Sequence, residues 1–350
     1  MTLRTESKAW CYFYPIIVFL LGVFSLSDTA FAFEEYTATS EVKVSAKGAK
    51  EFHLTAPDNL GGQITLKVWD DDHCLVKFEC WAKANSEEKA KKFAEMVDLS
   101  LEREEEIVTL KLDTPHSAPW EGTNYGIKAT LEIYIPHDFM VDTKTSAFDL
   151  DISGPLKQAF IDNHYGEVQL KDISEETNIS ATYGEVNAEN LEGSLNIETS
   201  YNSISLSDIN TKKSKAFIKT TYGKIDLEDF RGQLEANTIY SSIYGSDITL
   251  LDGRNEIRTV YSKIDLEFAD IKDAELYVKN TYGNIYVVVP KALSARLILT
   301  IGRGGKIHTK GILIKPSVLH KTRLEGTCGK GGSDIEMDID GIGEISLEGR

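Results

Sequence analysis

Tyrosine is the residue that recurs most regularly in this chain, and a row of tyrosines could present aromatic surface to sugar rings. Between residues 145 and 290, seven tyrosines follow one another at intervals of 18, 18, 21, 18, 21 and 21 residues. Aromatic rings that recur at a fixed period also stack on themselves, and this ladder is favoured over a carbohydrate platform. The tyrosines are Tyr165, Tyr183, Tyr201, Tyr222, Tyr240, Tyr261 and Tyr282.

A column of acidic residues follows the tyrosines and is the second set of residues that could bind a ligand or a metal ion. Seven residues after a tyrosine stand aspartates or Asn190, and Asp270 continues the series after a two-residue shift. Because calcium prefers oxygen ligands, a calcium ladder is one hypothesis. The favoured alternative is that these side chains bond to their own turn backbone, which explains aspartate and asparagine at once. The aspartates in the column are Asp172, Asp208, Asp229 and Asp247.

Other residues with catalytic potential are scattered. His164 adjoins Tyr165 in one unit only, and the remaining histidines stand singly. The glycine-rich segments near Gly304 and Gly331 lack the strand-to-helix setting that phosphate binding requires. The sequence therefore assigns no catalytic residue, no cofactor-binding residue and no metal ligand, and it predicts that the protein is not an enzyme.

The elements that position these columns are short β-strands. In Tyr222-Gly223-Lys224-Ile225-Asp226-Leu227 and its counterparts, apolar and polar residues alternate, which is typical of strands with one buried face. Units of 18–21 residues cannot close a core alone, so each must cover the next. An antiparallel meander is the alternative, but the column identity favours an all-β, single-stranded parallel β-helix, or β-solenoid, over residues 145–290. Ala147 fits one further, degenerate unit.

The ends of such a stack need caps, since terminal coils expose strand edges. Residues 33–144 are predicted to form a β-rich cap with strands at Val42–Val44, 64–69, 75–81, 107–112 and 129–135, and with one helix over Ser86–Leu101, whose N-cap is Ser86. Residues 291–350 are expected to hold the last coils and a C-terminal cap, with alternating strands around Leu299 and Met337.

The repeated Tyr-Gly-x-Ile-x-Leu units resemble the bacterial putative-adhesin family of exported β-repeat proteins (DUF4097-like). The resemblance extends over nearly all of the chain after residue 32 and includes Ile133-Tyr134-Ile135-Pro136, which is similar to the strand-then-proline entry to the repeats. It implies a β-rich N-terminal portion leading into stacked repeats, and adhesion as the function. It supplies no family catalytic residues.

Residues 1–32 have the pattern of a secretory signal peptide. Arg4 and Lys8 supply the positive start, Tyr12–Phe24 the apolar stretch and Ala30-Phe31-Ala32 the cleavage pattern, with an uncleaved anchor as the alternative. We therefore expect an exported protein, periplasmic or at the cell surface, without a transmembrane segment once the signal is removed.

The net charge of −17 disfavours nucleic acid and anionic lipid as partners. Cys74 and Cys80 are too far apart along one strand to form a disulfide. The predicted function is a non-catalytic surface or structural interaction module that needs no cofactor and contacts an unknown protein or glycan at the cell envelope. The alternative is a polysaccharide-binding or polysaccharide-acting β-helix protein, which the short turns and acidic repeat surface disfavour.

Overall fold

A computed structural model describes residues 33–350, which contain twenty-five strands and one helix. The predicted signal peptide, residues 1–32, lies outside the described residues. The elements are β1 Glu34–Ser45, β2 Glu51–Thr55, β3 Gly61–Val68, β4 His73–Ala84, α1 Glu87–Ala94, β5 Asp98–Glu104, β6 Ile107–Asp113, β7 Gly126–Ile135, β8 Met140–Thr145, β9 Ala147–Asn163, β10 Val168–Ala181, β11 Val186–Glu192, β12 Ser194–Glu198, β13 Ile204–Lys219, β14 Ile225–Asn237, β15 Ile243–Leu250, β16 Gly253–Arg258, β17 Ile264–Ile271, β18 Ala274–Asn280, β19 Ile285–Val289, β20 Ala295–Ile301, β21 Gly304–Lys310, β22 Ile314–His320, β23 Arg323–Cys328, β24 Ser333–Ile339 and β25 Ile342–Gly349.

Like residues of successive units pair in parallel register, so each repeat is one coil of a solenoid. The residue three positions after the tyrosine pairs with its counterpart in the next coil from Val168 through to Ile285. The residue four positions before it does the same from Ile161 through to Val278. Both columns are buried, because each coil covers the apolar face of its neighbour. The predicted single-stranded parallel β-helix is confirmed.

Each coil turns at two corners. The tyrosine corner contains the recurring tyrosine, and the aspartate corner lies seven residues further on. Flank A is the strand segment between them, three to six residues after the tyrosine, and flank B is the segment that leads to the next tyrosine. The three 21-residue intervals place their extra residues just beyond the aspartate corner, at 211–214, 251–252 and 272–273.

The N-terminal region differs from the prediction in its helix. The N-cap is correct, since Ser86 Oγ accepts a hydrogen bond from the Lys89 amide at 3.4 Å. The helix α1 nevertheless ends at Ala94, and the predicted Ser86–Leu101 helix is wrong beyond it. Residues 98–104 instead form β5, antiparallel to β6, because the alternating Leu99 and Leu101 turn their side chains toward the core there.

Both ends of the stack contain a coil that is inserted out of sequence order. At the N-terminal end, β2 lies between β6 and β8, and β3 lies between β7 and β9. At the C-terminal end, β24 lies between β18 and β20, and β25 lies between β19 and β21. Each inserted coil therefore pairs with a neighbouring coil on both of its sides. Within residues 33–350, four strands pair on one side only: β1, β5, β21 and β22.

The three cysteines of the described region are free and buried. Burial raises the pKa of Cys74 to about 12 and that of Cys80 to about 11, so both thiols are protonated at neutral pH. Within residues 33–350, no helix has the length and apolar character that crossing a bilayer requires.

Candidate functional site

The tyrosine corner forms one continuous aromatic stack on the surface. Neighbouring rings are nearly parallel, with interplanar angles of 1–12° and centroid separations of 4.6–5.6 Å from Tyr165 to Tyr282. Backbone pairing sets this spacing, because each tyrosine amide donates to the residue that precedes the tyrosine of the previous coil, as Tyr183 does to His164 O at 2.7 Å. The ladder interpretation is confirmed.

A buried polar column supports this corner from inside. Two residues before most tyrosines stands a threonine or asparagine, and most of these side chains hydrogen-bond the corner backbone of their own or the preceding coil. Thr145 Oγ1 instead donates to Asn163 Oδ1, and Thr199 Oγ1 has no hydrogen-bond partner among residues 33–350. Asn163 donates to Phe148 O at 2.8 Å and to Gly166 O at 2.9 Å, and Thr259 donates to Ser241 O at 2.7 Å. The sequence analysis missed this column, although its recurrence is visible there. Its members are Thr145, Asn163, Thr199, Thr220, Thr238, Thr259 and Asn280.

Glycine after the tyrosine is explained by close packing of the coils. A Cβ placed on Gly184 would lie 1.9 Å from Gly166 O, and one on Gly223 would lie 1.8 Å from Asn202 O. Such a contact is far inside van der Waals distance, so a side chain there forces the two coils apart. The glycines therefore keep the tyrosine rings at stacking distance.

The stack presents ring edges and hydroxyl groups rather than ring faces. Its tyrosines are between 43% and 62% exposed, yet each inner ring is covered on both faces by its neighbours. Only the outer faces of Tyr165 and Tyr282 are free of a stacked tyrosine. A sugar ring needs an open aromatic face, so the stack offers a line of phenol hydroxyls in place of a broad carbohydrate platform.

The aspartate corner is built on left-handed backbone. Asp172, Asn190, Asp208, Asp229 and Asp247 have φ values between 50° and 61°. Aspartate and asparagine tolerate this conformation better than other residues with a side chain, which accounts for both types in one column.

Asp270 does not belong to this column, which corrects the prediction. Its backbone is not among the left-handed positions, and its Oδ1 accepts a hydrogen bond from the Ile271 amide at 2.9 Å. Among residues 33–350, no three His, Cys, Asp or Glu side chains come together as a metal site would require.

A groove of about 870 Å³ runs along flank A, across the coils from Asp151 to Val288. Each coil contributes its two outward positions, four and six residues after the tyrosine. The side chains are mostly short and polar, with hydroxyl, amide and carboxylate groups. They include Gln169, Asn187, Ser205, Ser207 and Ser246.

Most carboxylates in this groove face a cation. Lys171 Nζ lies 2.8 Å from Glu189, and Arg350 Nη1 lies 2.9 Å from both oxygens of Glu267. The hydrogen bond from Lys171 to Glu189 raises the pKa of the lysine. Asp226 and Asp265 pair with Lys224 and Lys263, whereas Asp151 and Glu228 form no ion pair among residues 33–350. The groove therefore keeps a small excess of negative charge beside its hydroxyl and amide groups.

A carboxylate pair on flank B is the one other arrangement of catalytic interest in the described region. Burial raises the pKa of Asp338, and the charge of Asp340 adds to the rise. A carboxyl group with a high pKa can act as a general acid. Here, however, Lys279 Nζ lies 3.5 Å from Asp338 and 3.3 Å from Asp340, so the cluster ties β18 to the inserted strand β24.

The histidines and glycine-rich segments are not brought together by the fold. His164 accepts or donates a hydrogen bond with Thr182 of the next coil at 3.2 Å and contacts Tyr165. Gly304 and Gly305 lie in edge strand β21, and Gly331 lies in the turn between β23 and β24. None of these glycines precedes a helix in the described residues.

Stacked parallel coils, inserted terminal coils and an open polar groove define a β-solenoid with one long grooved face. A family model described as Toastrack DUF4097 matches residues 59–300, more than two thirds of the chain. The chain belongs to this family.

Two solved structures are similar to the chain. One is a "putative cell adhesion protein" from Clostridium sporogenes, with 13% identity, 90% of this chain and 100% of that chain covered, and a TM-score of 0.24. The other is a "putative adhesin" from Bacteroides fragilis, with 10% identity, 89% and 97% covered, and a TM-score of 0.24. No curated protein matches the chain.

Proposed function

We propose that the protein is a non-catalytic interaction module, exported to the periplasm or cell surface, that holds an extended, uncharged polymer such as a neutral glycan along flank A. The groove across eight coils carries this proposal. A polymer laid along the solenoid axis meets the same two outward positions in coil after coil. Many weak polar contacts then add up without a deep pocket.

The chemistry of the groove favours a neutral chain over a charged one. Hydroxyl and amide side chains such as Ser205 and Asn187 donate and accept hydrogen bonds as sugar hydroxyls do. A net charge of −17 and the carboxylates of Asp151 and Glu228 repel acidic polymers. The other four carboxylates of the groove pair with lysine or arginine, which lowers the negative charge that a basic polymer would meet.

The test uses two neutral β-linked hexasaccharides, cellohexaose and chitohexaose, titrated calorimetrically into the full chain. Asn187→Trp fills the groove, and its matched control is Asn196→Trp, an outward, exposed position on flank B of the same coil. We expect binding of at least one probe, at least tenfold weaker with Asn187→Trp and unchanged with Asn196→Trp. Equal effects of both variants, or no binding of either probe, would contradict the proposal.

Analysis of the reaction products distinguishes a binding protein from the alternative, an enzyme that acts on polysaccharides. After prolonged incubation with either hexasaccharide, we expect only the intact hexamer. Release of shorter oligosaccharides that is lost with Asp338→Asn would instead make the flank B carboxylate pair a catalytic site.

A further inference from the structure

The two ends of the solenoid carry opposite charge. Residues 303–323, which contain edge strands β21 and β22, hold six lysines and arginines and no aspartate or glutamate. Residues 98–106, which contain edge strand β5, hold five acidic residues and one arginine. A chain with a net charge of −17 thus concentrates positive charge at its C-terminal edge and negative charge at its N-terminal edge.

Most of these charges lack a partner within the described residues. At the C-terminal edge Lys310 pairs with Glu348 and Arg323 with Glu325, whereas the other four basic side chains form no ion pair there. At the N-terminal edge Glu106 pairs with Lys50. The side chains left without an ion pair among residues 33–350 are Arg303, Lys306, Lys315 and Lys321 at one end and Asp98, Glu102, Glu104 and Glu105 at the other.

The C-terminal edge also exposes apolar side chains. Leu313 is 90% exposed and Leu319 is 67% exposed, and both lie in or beside β22. Lysines on an edge strand normally prevent pairing with a like edge. The same lysines attract an edge strand that carries carboxylates, because the charges are opposite.

The strand directions permit pairing between the two ends. β22 is antiparallel to β23, which is antiparallel to β20, so β22 runs in the direction of the coils. β5 runs against that direction, since it is antiparallel to β6. When two copies are placed coaxially, β22 of one copy therefore meets β5 of the next as an antiparallel pair. Both strands are seven residues long.

We infer that β22, in the basic C-terminal edge, docks onto β5, in the acidic N-terminal edge, of a second copy of this chain. The two surfaces differ, so the contact is heterologous and each added copy leaves one edge of each kind free. The product is a head-to-tail filament. This inference does not depend on the proposed ligand, because it involves the ends of the stack and not flank A.

Charge reversal with rescue on mixing tests the inference. Lys315→Glu/Lys321→Glu reverses two charges in and next to β22, and Glu102→Lys/Glu104→Lys reverses two charges of β5, so in either variant alone like charges meet across the contact between β22 and β5. Association of the full chain is followed by analytical ultracentrifugation across a concentration and salt series. We expect wild type to form concentration-dependent oligomers that weaken as salt rises, each variant alone to stay monomeric, and an equimolar mixture of the two to associate again.

Lys157→Glu/Lys213→Glu, which changes the same charge on the sides of the solenoid, is the control and should assemble like wild type. Circular dichroism of each variant separates misfolding from loss of association, and the rescue on mixing requires both variants to be folded. A wild type that stays monomeric at low salt overturns the inference, as does assembly that the reversals leave unchanged. Binding of the monomer to phosphatidylglycerol vesicles through Lys315 and Lys321 would also overturn it, by assigning the basic edge to an anionic surface.

Discussion

The tyrosine corner and the aspartate corner turn the same coils with different physical means. At the tyrosine corner, stacked rings, inner threonines and asparagines, and close glycine contacts all act between neighbouring coils. At the aspartate corner, left-handed backbone at residues such as Asp208 turns each coil, and one side-chain hydrogen bond, from Asn190 to Asp172, joins two coils of the column. The extra residues of the longer coils are accommodated beside this corner. The comparison indicates that coil spacing is set at the tyrosine corner, while length variation is absorbed at the aspartate corner.

A side chain larger than glycine at the tyrosine corner should cause the largest loss of unfolding free energy. Gly184→Ala places a methyl group 1.9 Å from Gly166 O, so two coils must separate and the variant should lose more than about 2 kcal/mol of unfolding free energy. Lys213→Ala, in the extra residues beside the aspartate corner, should stay within about 0.5 kcal/mol of wild type. Urea unfolding followed by circular dichroism measures both. Similar losses would remove the distinction between the corners.

Loss of a side-chain hydrogen bond in the inner polar column should cause the second largest loss of unfolding free energy. Asn163→Leu keeps the volume but leaves Phe148 O and Gly166 O without their side-chain donor, which should cost about 1–3 kcal/mol. The matched change Asn196→Leu, at an exposed position of flank B, should cost less than about 0.5 kcal/mol. The same urea titration applies, and a neutral Asn163→Leu would show that the column does not hold the corner.

The position of a ring in the stack should decide its contribution. Tyr222 has two stacked neighbours and Tyr165 has one, and an aromatic pair contributes about 0.5–1.5 kcal/mol. We expect Tyr222→Ala to destabilise the protein about twice as much as Tyr165→Ala. Thermal unfolding measures both variants, and equal losses would mean that the rings act singly and not as a stack.

Backbone conformation should dominate at the aspartate corner. Asp208→Asn should be neutral, whereas Asp208→Ala should cost about 1 kcal/mol because alanine disfavours the left-handed region. Thermal unfolding with calcium and with a chelator should give the same melting temperature. A marked rise with calcium that Asp208→Asn abolishes would instead establish the calcium ladder.

The smallest expected effect is a pH dependence confined to the tyrosine corner. The charge that Tyr201 would carry on ionising raises the pKa of Tyr183 above its ordinary value of 10.0, and burial adds to the rise. The unfolded chain then loses this proton first, so stability falls as pH rises through the unfolded pKa. Tyr183→Phe should flatten the fall slightly between pH 9 and the folded pKa. An unchanged profile would show that the stacked phenols titrate independently.

Much of the repeat could be predicted from the sequence, because its interactions join residues one period apart. The tyrosine interval, the apolar columns from Val168 to Ile285 and the alternation of buried and exposed residues are periodic features. Parallel stacking is the arrangement that buries all columns at once. The inner Thr and Asn column belongs to the same class, and its period would have revealed it.

The structure of the two ends could not be predicted from the sequence. Contacts there join segments whose separation along the chain follows no fixed period. β5 is a strand because β6 offers an edge to Leu99 and Leu101, which overrides the helical start at Ser86. Asp270 lies outside the aspartate column because its coil turns differently.

The insertion of β24 between β18 and β20 carries no local signal, because it results from hydrogen bonding between distant edges and from ion pairs such as Arg296–Asp334. The opposite charges of the two ends can be counted from the sequence, in residues 98–106 and 303–323. Only the three-dimensional stack places those segments at opposite edges, because threading of the terminal coils decides which strands remain unpaired.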